Sequence, residues 1–462
     1  MSIEEIHDIF LQSKQQIYKD VSRAKEGSIF IGLKNDKFTN KGQGNEFAEM
    51  AIFEKKCSFA IIDDKNLKEK YLSDDRFIIV NSCNQTLFDL AKFHRNLFKI
   101  PIIAVVGSNG KTTTKELISC ILSKKYKVRA TIGNRNNNFG VSLNILAINN
   151  SDEIGVIEIG ARELNETFRA CEIAKPNYGI ITNCGKDHLD TYQKEKFVIL
   201  ANTELYNWLE KTNGTIFINS NDPILMKYAK NIRNKFCYGL KKIETDSIFV
   251  SGSYENKYLS GVCSILIENN HTNSNFSIRT NLFGSFWINT ILASIAIGLH
   301  FGINIDEIKD AVEKYDAVGM LRSERYKWKN NDVLLDCYNV NPSSMLAFVK
   351  ESLKIVTHKK KYIVLGAMLD IGKKSIIEHT YIIELISKCK DFTIFLVGTN
   401  ENNDFEIALK NVKNTKHINY FKNWQSLKSY LESQKIENNL FLVKGDRWVY
   451  LELIFDYPHY VS

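Results

Sequence analysis

The stretch Ile102-Ile-Ala-Val-Val-Gly-Ser-Asn-Gly-Lys-Thr-Thr-Thr-Lys115 decides how the rest of the chain is read. Five apolar residues after Pro101 predict a fully buried strand, and the residues from about 112 to 124 predict a helix. Glycines in the intervening loop let backbone N–H groups wrap an anion, and the helix N-terminus adds positive potential. Lys111 would then reach the β- and γ-phosphates of a nucleotide, and the Thr112 or Thr113 hydroxyl would bind Mg²⁺. The general phosphate loop needs a further glycine at position 105, where Val105 stands. What remains is the shorter G-x-x-G-K-T. Gly107, Ser108, Asn109, Gly110, Lys111, Thr112 and Thr113 form the candidate ATP-binding set.

Working outward, the apolar runs 155–159, 178–182 and 215–219 alternate with helical segments. Such alternation predicts a parallel sheet wound on both faces. Glu158 ends one of those strands, at the carboxyl edge where ligands of such sheets bind. A carboxylate there suits a metal ligand, though an incidental surface glutamate fits the spacing too. His188 follows the next strand; a loop histidine is commonly structural, but beside a phosphate loop and Glu158 it is a reasonable second ligand. From about 245 to 280 short polar–apolar strands predict an antiparallel extension. The segment 1–97 reads as a small α/β unit, with strands at 28–33, 59–62 and 77–80. A third α/β unit begins near 320, with buried strands at 332–336, 362–365, 393–397 and 440–443.

The chain has 462 residues, enough at roughly 150 per domain for about three domains. Hydrophobic residues at 44% and charged residues at 25% are ordinary globular values and exclude a disordered or fibrous protein. The net charge of +8 is mild for this length and is no nucleic-acid signature. The longest basic cluster, Lys359 to Lys361, runs straight into an apolar strand and reads as a solvated strand edge. Nine scattered cysteines, without C-x-x-C or zinc spacing, read as reduced core residues of a cytoplasmic protein. The amphipathic start is unlike a targeting peptide, and no apolar run reaches the ~18 residues of a membrane span. Only 5 prolines occur, about 1% against a usual ~5%, which points to a biased composition.

GSNGKTTTKE (107–116), GNRNNNFGVSL (133–143), EIGA (158–161), ITNCGKDHLD (181–190) and DCYNVNPSSM (336–345) fall in one order. GAMLDIG (366–372), His379 and LVKGDR (442–447) follow and are similar to G-D-M-x-E-L-G…H and L-x-K-G-S-R segments. The whole series resembles the Mur ligases, and among them the branch that joins D-alanyl-D-alanine to UDP-N-acetylmuramoyl-tripeptide. The resemblance implies an α/β, three-domain architecture with a central P-loop parallel sheet flanked by two smaller α/β domains. It places a UDP-substrate domain at 1–97, the ATP domain at 98–318 and a closing Rossmann-like domain at 319–462. It implies ATP and Mg²⁺, an acyl-phosphate intermediate, and a cytoplasmic monomer in cell-wall precursor synthesis with no nucleic-acid or membrane partner. Lys111, Glu158 and His188 would be catalytic, and Thr112, Glu158 and His188 would hold metal. Asn289, Arg322 and Asp336 would join the phosphate loop on ATP. Asp20, Asn136, Asn137, Tyr338, Asn339 and Asn341 would face the substrates. On residue types alone, the segment 338–341 reads first as a strand-end turn built on asparagine and proline.

Several positions depart from the family pattern. Asn202 stands where a carbamylated, metal-bridging lysine is usual. Thr290 replaces an adenine-contacting asparagine, with Asn289 adjacent. Ser22 takes an arginine position of the first domain, with Arg23 one residue late. Ala367 replaces the aspartate of G-D-M, and Asn165 a glycine. Two alternatives are therefore carried: a Mur-like ligase with another carboxylate and amine, and a weakened nucleotide-binding homologue.

Overall fold

The computed structural model describes residues 1–34, 44–186, 195–242, 248–268, 273–434 and 436–458, so His188 lies outside the described residues. Two compact units are present. One comprises 1–104, 126–160 and 165–178; the other comprises 105–125, 161–164 and 179–462.

In the first unit, the helix Ile3–Gln12 starts at a capping box in which Ser2 and Glu5 satisfy each other's backbone N–H groups. Four parallel strands follow in sheet order: Ile17–Tyr18, Ile29–Ile31, Phe59–Ile62 and Phe77–Ile79. Their helix-facing core is Phe30, Ala48, Ala51, Ile52, Ala60, Ile62 and Phe77. The helix Cys83–Asn96, capped by Ser82, buries Leu87, Leu90, Ala91 and His94, an i, i+3, i+4, i+7 stripe. His94 Nε2 donates to the Ile148 carbonyl, so its Nδ1 accepts from His7 Nε2 at 2.9 Å. The strand Ile154–Glu158 pairs in parallel with Val128–Ala130. The Gly155 N–H bonds the Pro101 carbonyl, and the Asn177 N–H bonds that of Ile102.

In the second unit, the strand sequence runs Asn273–Thr280, Ser260–Glu268, Phe249–Lys257, Asn234–Gly239, Thr215–Asn219 and Tyr178–Ile181. The first three are antiparallel, and Ser260–Glu268 alternates buried and wetter positions as a one-sided sheet demands. The others are parallel and almost wholly buried. The Thr182 N–H bonds the Val106 carbonyl at the end of the strand Ile102–Val106. All five residues of that strand are buried, each isoleucine or valine side chain contributing about 1.5–3 kcal/mol. The helix Lys111–Leu122 buries Leu117, Ile118, Ile121 and Leu122 and packs on the largely buried helix Ile288–His300.

The same unit contains a six-stranded sheet, in order Glu324–Trp328, Asn331–Asp336, Leu440–Lys444, Lys361–Gly366, Phe392–Val397 and Ile418–Phe421. Only the first pairing is antiparallel. Alternate residues feed two separate cores: Ile363, Leu365, Ile394 and Leu442 on one face, and Tyr362, Val364, Phe395 and Val443 on the other. This sheet is covered on both sides, as its unbroken apolar strands require. Among the described residues, no helix is long and apolar enough to cross a membrane.

Candidate active site

The phosphate loop hangs between the strand Ile102–Val106 and the helix Lys111–Leu122. Gly107 has φ of +136°, and a Cβ there would lie 2.0 Å from Thr182 Oγ1. Gly110 caps the helix in the left-handed region at φ of +81°, where only glycine sits without cost. Lys111 folds back on its own loop, with Nζ 2.5 Å from the Gly107 carbonyl and 3.2 Å from that of Ser108. Both acceptors are neutral, so phosphate oxygens would compete well for this cation. Thr112 and Thr113 are buried on the first turn, and Thr113 Oγ1 has no hydrogen-bond partner.

Asn183 ties the loop tip, although the sequence reading singles out only its segment. Its Oδ1 accepts from the Asn109 N–H at 3.1 Å, and its Nδ2 donates to the Asn109 carbonyl at 2.9 Å. Thr182 Oγ1 donates to the same carbonyl, and the Ser108 N–H bonds the Asn183 carbonyl. The loop is held by side chains some 70 residues away. A lone asparagine in a loop carries no periodic signal, so proximity alone reveals this role.

Asn341 reaches the same tip: its Nδ2 donates to Asn109 Oδ1 at 2.8 Å. It also caps the helix Pro342–Ser352, and Pro342 at the first helical position needs no N–H acceptor. Beside it, the Lys186 N–H donates to Ser343 Oγ, and Lys186 Nζ pairs with Glu378 at 2.8 Å. That partner raises the Lys186 pKa. Neither Lys186 nor Glu378 is marked out by sequence.

Arg322 lies with its guanidinium 4.4 Å from the Tyr338 ring centroid, and Arg447 approaches the same ring at 5.5 Å. Asp336 pairs with the buried Lys444 at 3.1 Å, and Lys444 also donates to the Asn339 carbonyl. The strand end therefore gathers Arg322, Asp336, Tyr338, Asn339 and Asn341. Asn289 is half-buried, and its Oδ1 lacks a partner. Thr290 instead bonds Thr114 Oγ1 at 3.3 Å and lies 3.5 Å from where a Cβ of Gly110 would be.

In the first unit, Glu158 is 1% exposed. Its Oε1 accepts from Asn136 Nδ2 at 2.8 Å, whereas its buried Oε2 has no partner. A buried carboxylate oxygen left so is costly and suits a cation. The Asn136 carbonyl also accepts from the Gly160 N–H, and Asn137 caps the helix Asn138–Leu146. Asp20 is an exposed cap that accepts from the Ser22 N–H and hydroxyl, and these bonds lower its pKa. Asn202, in the second unit, is buried and spends its Nδ2 on the Val198 carbonyl one turn back; its Oδ1 has no partner. Among the described residues, no group of three or more His, Cys, Asp or Glu side chains could hold a metal.

His379 holds the loop after the strand Lys361–Gly366. The Met368 N–H donates to its Nε2 at 3.1 Å, which makes Nδ1 the protonated nitrogen, donating to the Ser375 carbonyl at 2.8 Å. Burial lowers its pKa below the ordinary 6.5, more than Ser375, Asp404 and Glu378 raise it. The unfolded chain therefore takes up this proton first. Its contribution to stability is complete above pH 6.5 and is lost as pH falls through the lower folded-state value. His379→Ala should cost about 1–3 kcal/mol at pH 7.5, chiefly from the stranded Met368 N–H. Thermal melting between pH 7.5 and 5 should fall less steeply in the variant; parallel curves would refute this.

Residues 105–298 match the family model of the Mur ligase middle domain, and residues 322–447 match that of the Mur ligase glutamate ligase domain. The chain is similar to the UDP-N-acetylmuramoyl-tripeptide–D-alanyl-D-alanine ligase of Bacillus subtilis, 28% identical over 443 residues, covering 94% of this chain and 91% of that protein. The enzyme of the same name from Rickettsia prowazekii is 27% identical over 456 residues, covering 95% and 93%. Among solved structures, MurF from Acinetobacter baumannii matches with a TM-score of 0.80 at 22% identity, over 96% of this chain and 92% of that one. MurF ligase from Thermotoga maritima in complex with ADP also gives 0.80 at 22%, over 96% and 97%. The mixed α/β architecture is thus that of the three-domain Mur structures. Two family models take in most of the chain, and the fold agrees over 96% of it: the chain belongs to the Mur ligase family.

Proposed function

We propose that the chain is an ATP-dependent, ADP-forming ligase that joins D-alanyl-D-alanine to UDP-N-acetylmuramoyl-tripeptide in peptidoglycan precursor synthesis. One observation carries the substrate assignment: near-complete mutual coverage with relatives named for that reaction. The glycine-lined cradle around Lys111 supports the use of ATP.

In this reading, residues 1–97 hold the uridine nucleotide, 98–318 hold ATP, and 319–462 close over ATP and the dipeptide. The terminal carboxylate of the tripeptide takes the γ-phosphoryl group, giving an acyl phosphate and ADP. The dipeptide amine then attacks the carbonyl carbon, and the tetrahedral adduct expels phosphate to leave the amide. Lys111 exchanges its two loop carbonyls for phosphate oxygens and neutralises charge as the phosphoryl group moves. Gly107 to Gly110 and Thr113 surround the phosphates. Asn289, Arg322 and Asp336 hold the rest of ATP. Tyr338, Asn339 and Asn341 present the dipeptide, and Asp20, Asn136 and Asn137 serve the nucleotide-linked acceptor. Thr112, Glu158 and His188 are the proposed Mg²⁺ ligands, and the unpartnered Oε2 of Glu158 fits that role. Bound there, Mg²⁺ would supply charge neutralisation to the phosphates. We read the enzyme as a cytoplasmic monomer.

Purified protein should release phosphate only with both the tripeptide nucleotide and D-alanyl-D-alanine present. Release without either acceptor would overturn the reading. A carboxamide takes up no CO₂, so with Asn202 at the lysine position the rate should be the same with and without bicarbonate. A bicarbonate-dependent rate would refute that role for position 202.

A further inference from the structure

Arg322 is carried by a loop whose backbone is set against its own preference. Leu321 has φ of +52° and Ser323 has φ of +53°, so a left-handed residue with a side chain stands on each side of Arg322. Leucine in that region is an outlier, and such outliers persist only where the surroundings over-determine them. Of residues 321–324, Arg322 alone is not buried.

The groups that fix this loop are specific. Glu324 is 3% exposed; its Oε1 accepts from the Gly319 N–H at 3.0 Å, and its Oε2 accepts from the Leu321 N–H at 3.2 Å. Tyr457 Oη donates to the same Oε1 and itself accepts from the Gly319 N–H at 3.1 Å. Ser323 Oγ accepts from Trp287 Nε1 at 3.0 Å. The Leu321 side chain packs in one core with Leu335 and Tyr457. Its carbonyl accepts from the N–H groups of Cys337 and Tyr338, at 3.0 and 3.2 Å. The backbone just before Arg322 is thereby tied to Tyr338, whose ring centroid lies 4.4 Å from the Arg322 guanidinium. Three donors converge on the buried Glu324 carboxylate, and each belongs to the loop or bonds to it.

We propose that Glu324 is a positioning residue for nucleotide binding. By pinning Gly319 and Leu321 it keeps Leu321 and Ser323 left-handed, and that backbone sets where the Arg322 guanidinium lies. A carboxylate suits the task because its two oxygens accept from two N–H groups at once. An anchor that served the fold alone would matter equally whatever side chain stood at 322. A positioning anchor loses its effect on binding once Arg322 is removed. The inference rests on the reading above in which Arg322 holds ATP.

Binding of the non-hydrolysable analogue adenylyl imidodiphosphate with Mg²⁺ should be measured by titration calorimetry on the full-length protein, beside the two-substrate phosphate-release assay. R322A should weaken binding about 10–100-fold, the range for a hydrogen bond to a charged group. E324Q matches the carboxylate in size but sets an amide NH₂ against a backbone N–H, and should weaken binding about tenfold. The double variant E324Q/R322A should bind within about twofold of R322A, because Glu324 acts through that side chain. In phosphate release, E324Q should raise the KM for ATP, with kcat and the KM for the dipeptide kept within about twofold. Y457F loses only a hydroxyl and should weaken binding about threefold, again only while Arg322 is present. Unaltered affinity in E324Q, or in Y457F where E324Q does not fold, would overturn the inference and leave the ligase reading intact. So would a double variant weaker than R322A by the full E324Q factor. Unchanged binding in R322A would remove Arg322 from the nucleotide site, and this inference with it. An unaltered protein that binds the analogue but releases no phosphate with both substrates would overturn the ligase reading alone.

Discussion

Lys111→Ala should abolish ligation while leaving the fold in place. In the structure the Lys111 ammonium is only half-buried and bonds two loop carbonyls, so removing it costs little stability. The cost falls on the reaction, because no other side chain approaches the phosphate loop from the first position of the helix. Loss of a single preorganised charge-stabilising group costs about 10²–10³ in kcat, and a full cation on the transferred phosphoryl group lies at or above the upper end. We expect at least a 1,000-fold fall in phosphate release, about 4 kcal/mol of barrier, with the melting temperature unchanged. A variant within tenfold of the unaltered protein would remove Lys111 from the mechanism. It would also favour a nucleotide-binding homologue that does no chemistry.

The second large effect is expected at Glu158. The Asn136 amide holds one of its oxygens and leaves the other buried without a partner. Glu158→Gln preserves size and the Asn136 contact but offers no charge to a cation. Phosphate release should fall about 10²–10³-fold. The decisive reading is thermal. With ADP present, added Mg²⁺ should raise the melting temperature of the unaltered protein. The gain corresponds to about 2.7 kcal/mol at a hundredfold excess over its dissociation constant. The variant should show little of that gain. An equal Mg²⁺ shift in both proteins would exclude Glu158 as a metal ligand.

Much of this architecture is legible in the sequence, for an identifiable reason. Strands such as Ile102–Val106, Thr215–Asn219 and Phe392–Val397 are buried on both faces, and continuous apolar runs announce them. Most strands that escape a sequence reading are short or lie at edges; the six-residue, interior Asn234–Gly239 is the exception, its polar first two residues breaking the apolar run. Val128–Ala130 is half-buried throughout, Ile418–Phe421 buries only its first residue, and Glu324–Trp328 buries only its two ends. Their pairing is decided by neighbours distant in sequence. The departures from the family pattern divide in the same way. Asn165, in place of glycine, has φ of +68°, a left-handed backbone that asparagine tolerates better than other side chains. Thr290 finds a hydroxyl partner in Thr114, and so belongs to the packing of the helix Ile288–His300 on the phosphate-loop helix. Asn183 and the Lys186–Glu378 pair have no signature of type or spacing. They gain a role only when the fold brings the ends of three strands together.

The direct bond between Asn109 and Asn341 has a mechanical consequence. The tip of the nucleotide loop and the cap of the helix Pro342–Ser352 share one amide–amide contact, so neither can be displaced without the other registering it. A contact between two neutral side chains is insensitive to salt and to pH, so this mechanical link should hold steady while the ionic conditions around the protein change.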